Sequence, residues 1–370
     1  MIVGAGISGA VLAERYAASG RDVLVLDKRA HMAGNCYDFH DDASVLVSRY
    51  GAHIFHTNHE DVWTYVNRFA KWKAYEHRVV AWVDGIHVPV PVNITTVNML
   101  FGLSLTSSSE MREFLRSVQI PCAEPKDGRE AALALVGEVL YEKIFRPYTK
   151  KQWDKYPEEL DASVLQRIPV RDNFDDRYFT DRFQALPVGG YTALFEAMLD
   201  SPHITVQLST DFFDVRDSVS DCNLLFYTGR IDQYFAETAD LRAARHPAQL
   251  EYRSLRFEFE THAVEHFQPY AVINYPDASE PFTRIVEYKH LTGQALPRTT
   301  ISREYSSAEG EPYYPVPNRR NREAYEQYRQ QAERLTNVHM VGRLANYKYF
   351  NMDQAFKNAL DMFNRLVADG

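Results

Sequence analysis

The run Ile2-Val3-Gly4-Ala5-Gly6-Ile7-Ser8-Gly9, a helical stretch to about Ser19, then Gly20 and Val23-Leu24-Val25-Leu26-Asp27 decide the fold. They read as strand, glycine turn, helix and buried parallel strand. The G-x-G-x-x-G spacing lets backbone pass close to a pyrophosphate at a helix N-terminus. There the unpaired amides and the helix dipole favour negative charge. Gly4, Gly6, Ile7, Ser8 and Gly9 are therefore candidate dinucleotide contacts. Asp27, with Lys28 beside it, is placed at the strand end where ribose hydroxyls need an acceptor. A glycine turn without a ligand is the plain alternative; the flanking strands and the acid weigh against it. So few residues precede the glycines that a trimmed or incompletely ordered start is expected.

Working outward, 370 residues with 45% hydrophobic and 25% charged composition suit a soluble globular protein of two or three domains. No apolar run reaches the ~18 residues of a spanning helix, and Glu14 breaks the only N-terminal apolar stretch, so neither membrane insertion nor a signal peptide is expected. Cys36, Cys122 and Cys222 lie far apart, which argues against a disulfide framework or structural zinc and fits a reducing cytoplasm. A net charge of −9 repels nucleic acid. An anionic ligand would need a local arginine cluster.

The hairpin signal Val79-Val80-Ala81-Trp82-Val83, Asp84-Gly85, Ile86-His87-Val88-Pro89-Val90 suits a tight primed turn. Helical periodicity over 109–118 and 129–145 predicts a helical insertion, and alternating polarity over 250–303 an antiparallel sheet that the hairpin extends. An amphipathic helix is predicted over 319–335, a strand and turn at Val338-His339-Met340-Val341-Gly342-Arg343, and a last helix over 353–368. The fold class is α/β: a Rossmann-like dinucleotide domain (1–75, 183–245 and 336–370), a helical domain (93–165) and an antiparallel sheet domain for substrate (76–92, 166–182 and 246–335). His31-Met32-Ala33-Gly34-Asn35 after Asp27, with Gly342-Arg343 late in the chain, resembles the two-part FAD site of glutathione-reductase-like flavoproteins. No second glycine motif is present for a separate NADPH domain.

Several further segments carry a more specific resemblance: Gly34-Asn35-Cys36-Tyr37-Asp38, Tyr50-Gly51-Ala52-His53-Ile54-Phe55-His56-Thr57, Tyr148-Thr149-Lys150-Lys151-Gln152-Trp153, Tyr178-Phe179, Gln184-Ala185-Leu186-Pro187-Val188-Gly189-Gly190-Tyr191, Thr283-Arg284-Ile285, Tyr313-Tyr314-Pro315-Val316-Pro317 and Tyr347-Lys348-Tyr349-Phe350-Asn351-Met352-Asp353. In this order, over essentially the whole chain, they resemble the bacterial UDP-galactopyranose mutases. The resemblance implies an isomerase that interconverts UDP-galactopyranose and UDP-galactofuranose for surface polysaccharide, with FAD in its reduced form. N5 of the flavin would attack the anomeric carbon while UDP leaves.

The same resemblance assigns Arg167 and Arg284 to clamping the diphosphate, for which a permanently charged fork of donors is suited. Tyr178, Tyr314 and Tyr349 would bond the phosphates. Ile144, Phe145, Tyr148, Thr149, Trp153 and Asn274 would line the nucleotide and sugar, and His77 the substrate. His53, Ile54, Gly342, Arg343, Asn351, Met352 and Asp353 would join Gly34 and Asn35 at the flavin, with His53 close enough to count as catalytic. Surface ion pairs, core tyrosines and a satisfied core histidine are the ordinary alternatives. His53 and His56, three apart, lack the partners of a zinc site, and no metal is expected. His77, Asn351 and Ile144 depart from the asparagine, aspartate and aromatic common in relatives. A mobile lid is expected over 166–177, and a homo-oligomer, a dimer or larger. Rival classes are an amine-oxidase-like flavin oxidoreductase and a non-enzymatic protein like the guanine-nucleotide dissociation inhibitors.

Overall fold

A computed structural model describes residues 1–219, 222–238 and 247–368. Five parallel strands form one sheet in the order Ile204–Gln207, Val23–Leu26, Ile2–Val3, Leu225–Tyr227, Val338–Met340. The first strand of the chain is thus central, flanked by strands from distant segments. The glycine turn leaves its carboxyl end, where open α/β sheets bind ligands. The helix that follows, Ile7–Ala18, buries Val11, Leu12 and Ala13 against Phe356, Ala359 and Leu360 of the last helix, Met352–Ala368. Burying Phe356 completely contributes ~2–3 kcal/mol to that contact.

A second sheet of seven strands runs Tyr314–Pro315, Tyr252–His262, Thr299–Ser307, Arg284–Glu287, Val272–Asn274, Val79–Val83, Ile86–Val90. The hairpin extends it as its sequence predicts: Val83 pairs with Ile86, and Asp84 and Gly85 take φ of 51° and 81°, both left-handed as a primed turn requires. All neighbours are antiparallel except Val272–Asn274 beside Val79–Val83. Arg284 and Glu304 face each other in this ladder.

Helices fill residues 94–166 between the hairpin and the returning sheet. Ser107 and Glu110 form a capping box on Ser108–Val118, and Asp127 caps Gly128–Leu140. The predicted helix over 129–145 is not continuous. Gly137 (φ 73°) kinks it where a Cβ would stand 2.3 Å from the Val118 carbonyl oxygen of the neighbouring helix. A wide π-turn, Tyr141–Phe145, then leads into Arg146–Trp153. An isolated glycine inside a helical pattern is ordinarily tolerated, so the pattern does not mark the break. The predicted domain division at 245–246 lies outside the described residues.

Candidate active site

Both ends of the chain build one cavity of about 450 Å³. Gly4, Gly6, Ile7, Ser8, Asp27, Lys28, Gly34, Asn35, His53, Gly342, Arg343, Asn351 and Met352 line it. Three predicted residues stand outside that lining. Gly9 lies beneath the turn, where a Cβ would fall 1.8 Å from the Gly4 carbonyl oxygen. Ile54 packs with Val79, Val272 and Val286 in an apolar cluster. Asp353 is buried near the start of the last helix, with Oδ1 lacking a hydrogen-bond partner.

The glycine turn and Gly34 bring bare backbone to the wall of this cavity. A Cβ on Gly34 would stand 2.9 Å from the Gly6 Cα, so the two chain segments meet there only because residue 34 lacks a side chain. Asp27 is engaged on the protein side, with Oδ2 accepting the Ala5 N–H at 2.7 Å and Oδ1 the Arg29 N–H at 2.8 Å. Each oxygen keeps a further lone pair for a hydroxyl. Lys28 turns to Glu311 at 2.8 Å, and Arg29 reaches Glu311 at 3.2 Å and Asn35 Oδ1 at 2.9 Å. These pairs tie residues 28–35 to the cavity's 310–313 wall, a link that the motif did not disclose.

His53 donates Nδ1–H to the Gly51 carbonyl at 2.8 Å. Burial pushes its pKa down to about 4, against the pull of that carbonyl, so the ring is neutral with Nε2 unprotonated. His56 turns elsewhere, bonding Asp181 at 2.9 Å and stacking on Phe179 at 3.6 Å.

Beside this cavity lies a cluster of cations and phenols. The Arg167 Cζ stands 4.2 Å from the Tyr349 ring centroid and the Arg343 Cζ 5.2 Å from it. Tyr314 lies 5.8 Å from Tyr349, and Trp153 meets Tyr314 edge-on at 5.2 Å. His77 meets Tyr178 at 5.9 Å. Burial alone would raise the Tyr349 phenol; the charges of Arg167, Arg343 and Arg284 outweigh it, and its pKa is lowered. Two of these guanidinium groups, Arg167 and Arg343, stand over the same ring. Arg284, partly buried, keeps its charge because Glu304 accepts its Nε–H at 2.6 Å. Burial raises Tyr148 too, with Arg284 opposing the shift.

The remaining predicted contacts flank this cluster. Ile144, Phe145 and Trp153 are buried in the apolar cluster of the helical segment, and Thr149 is buried on Arg146–Trp153. Asn274 pairs with Arg284 across the strands, its Oδ1 buried and unpartnered. Sequence reasoning missed Glu304. The strand pattern did not mark it: Thr300, Ser302 and Glu304 alternate as a polar face would, yet all three are buried, which is unusual for a carboxylate.

A profile of the UDP-galactopyranose mutase family matches residues 143–349, and one of NAD(P)-binding Rossmann-like domains matches residues 2–69. A probable UDP-galactopyranose mutase of Klebsiella pneumoniae is 38% identical over 365 residues, covering 97% of this chain and 92% of its own. A dTDP-fucopyranose mutase of Escherichia coli is 36% identical over 371 residues, 98% of this chain and 96% of its own. The crystal structure of a reduced UDP-galactopyranose mutase superposes with a TM-score of 0.80 at 17% identity, covering all of this chain (100%) and 95% of the other. Putrescine oxidase shares the fold alone, with a TM-score of 0.62 at 12% identity over 99% and 98% of the two chains. The Rossmann-like sheet, the helices that follow it and the charge cluster thus belong to an isomerase, and the chain is a member of the UDP-galactopyranose mutase family.

Proposed function

We propose that the chain interconverts UDP-galactopyranose and UDP-galactofuranose, with FAD in the glycine-lined cavity and the diphosphate on Arg167 and Arg284. One observation carries this reading. Arg167, Arg343 and Arg284 together act on Tyr349, and Glu304 is the one carboxylate paired with any of these arginines among the described residues, in a chain whose net charge is −9. A diphosphate supplies the missing negative charge.

Ring contraction at constant oxidation level requires a nucleophile that displaces UDP and later releases the sugar. Reduced flavin, when bound, supplies it at N5. The protein's own residues orient and stabilise. Arg167 and Arg284 offset charge that builds on departing UDP, an effect of ~3 kcal/mol for a well-placed donor. Tyr178, Tyr314 and Tyr349 add hydroxyl donors on rigid rings. Neutral His53 offers Nε2 as an acceptor toward the cavity, and Trp153 and Tyr148 close the nucleotide side against water. The reading includes a glutathione-reductase-like cofactor fold, a helical and a sheet domain around it, a cytoplasmic location and a homo-oligomer.

The Escherichia coli relative keeps a second substrate in play, dTDP-fucopyranose, which differs at the 6-position of the sugar and in the nucleoside. The deciding experiment supplies each nucleotide sugar to dithionite-reduced, flavin-loaded protein and separates the products by chromatography. Conversion of UDP-galactopyranose is expected. No isomerisation of either compound would sink the reading, and preference for the fucosyl nucleotide would replace its substrate.

A further inference from the structure

Arg284 and Glu304 stand directly opposite each other on the antiparallel strands Arg284–Glu287 and Thr299–Ser307. The Glu304 side chain is 1% exposed, whereas that of Arg284 is 34% exposed. Their contact uses only the inner edge of the guanidinium, Nε–H to Oε2 at 2.6 Å. The two terminal nitrogens have no protein acceptor among the described residues. Arg253, on the strand beyond Thr299–Ser307, shows the contrast: it spends its group on the Gln152 carbonyl and the Ser306 hydroxyl. An arginine pinned by Nε alone presents a two-pronged donor face in one fixed direction.

The second oxygen of Glu304 is the informative one. Oε1 is buried and has no hydrogen-bond partner. It occupies the space that a side chain on Gly51 would take: a Cβ there would stand 3.0 Å from Oε1 and 3.2 Å from the Phe257 ring. Gly51 has φ +89°, and its carbonyl accepts the His53 Nδ1–H. One turn therefore both aims His53 and leaves room for the carboxylate. A half-satisfied buried carboxylate is a poor stabilising device, since an apolar pair would fill this site at least as well. Its geometry serves the guanidinium instead.

We propose that Glu304 is a positioning residue of the reaction: it holds Arg284 by Nε so that the terminal amino groups face the diphosphate of the nucleotide sugar, and Gly51 lacks a side chain so that it can. This rests on the nucleotide-sugar reading of the site. Orientation and attraction separate here. Removing the carboxylate leaves both guanidinium charges, so the diphosphate is still attracted, but the arginine no longer meets the leaving group at a set angle.

The test compares Glu304→Ala, Glu304→Gln and Glu304→Asp as reduced holoproteins, measuring kcat and KM with UDP-galactopyranose and UDP affinity by calorimetry. Glu304→Ala is expected to lower kcat on the order of 100-fold, the cost of a misplaced group, with UDP affinity undiminished. Glu304→Gln, whose amide oxygen still accepts the Nε–H, restores most of the loss. Glu304→Asp, one methylene short, does not. Native kcat in Glu304→Ala, or parallel loss of UDP affinity and Tm, would overturn the positioning role. Should Glu304→Ala fail to fold, equal and native kcat in the Gln and Asp variants would overturn it as well. Full turnover by Arg284→Ala would instead remove the functional reading beneath it; an inactive Arg284→Ala beside a fully active Glu304→Ala removes this inference alone.

Discussion

Arg167 stands over the ring of Tyr349, Cζ to centroid 4.2 Å, and its Nε–H donates to the Val164 carbonyl at 3.3 Å. Among the described residues no carboxylate pairs with this guanidinium. Ring and carbonyl hold the arginine in place while its outer nitrogens remain available.

Arg167→Ala is expected to abolish turnover while the purified protein stays yellow, because the arginine is not in the lining of the glycine-walled cavity. Arg167→Lys should not rescue it, since an ammonium cannot present a fork. Flavin absorbance together with product chromatography checks this; wild-type turnover in either variant contradicts the clamp.

Tyr349→Phe keeps the cation–ring contact and removes only the hydroxyl. Loss of one hydrogen bond to a charged group costs ~1.5–3 kcal/mol, so UDP binding should weaken roughly 10- to 100-fold. Titration calorimetry with UDP reads it, and unchanged affinity would show that the hydroxyl does not touch the phosphates.

Gly34→Ala should purify with little or no flavin, because a methyl 2.9 Å from the Gly6 Cα forces the two cavity walls apart, and φ of +54° adds strain. The ratio of flavin to protein absorbance is the measurement. Full flavin occupancy would mean that the close approach is dispensable.

Acid should destabilise the fold through neutral buried histidines. His77 is pushed down to about 3 by burial, with Arg284 and His56 adding to the effect. Between its unfolded value near 6.5 and that value, the unfolded chain binds a proton that the native chain does not, so stability rises with pH through this window and is complete above it. At pH 5 the loss is ~2 kcal/mol for His77, and His53 acts in the same sense. His77→Asn should flatten the slope of urea-unfolding free energy between pH 7 and pH 5; an unchanged slope would show that His77 is protonated in the native state.

Residues 166–177 are tied outward by the pairs Arg78–Asp176 and Arg112–Asp172 and braced within by Arg171–Asp175 and Arg177–Asp175, while Arg167 at the segment's start lies over the Tyr349 ring. Saturating UDP should slow proteolytic cutting within this stretch. Equal cleavage with and without UDP would rule out a ligand-gated lid here.

The dinucleotide half of the fold was legible because its determinants are local: a glycine spacing, two short apolar strands and an acid within 27 residues. The hairpin was legible for the same reason, since Asp84-Gly85 alone sets the turn. Non-local pairings were not. That Val338–Met340 lies beside Leu225–Tyr227, or that Arg284 faces Glu304, depends on register between distant strands. Periodicity carries no register. The arginines and tyrosines were found through family resemblance, whereas Glu304, Arg29 and Glu311 hold others in place and carry no motif of their own.

The π-turn at Tyr141–Phe145 sets the bearing of everything after it. Each residue advances an α-helix by about 100°, so deleting one residue from that turn would swing Tyr148, Thr149 and Trp153 by roughly a quarter-revolution. The wide turn works as a phase adjuster: deleting Glu142 or Lys143 would re-aim the whole of Arg146–Trp153 while leaving each of its side chains unchanged.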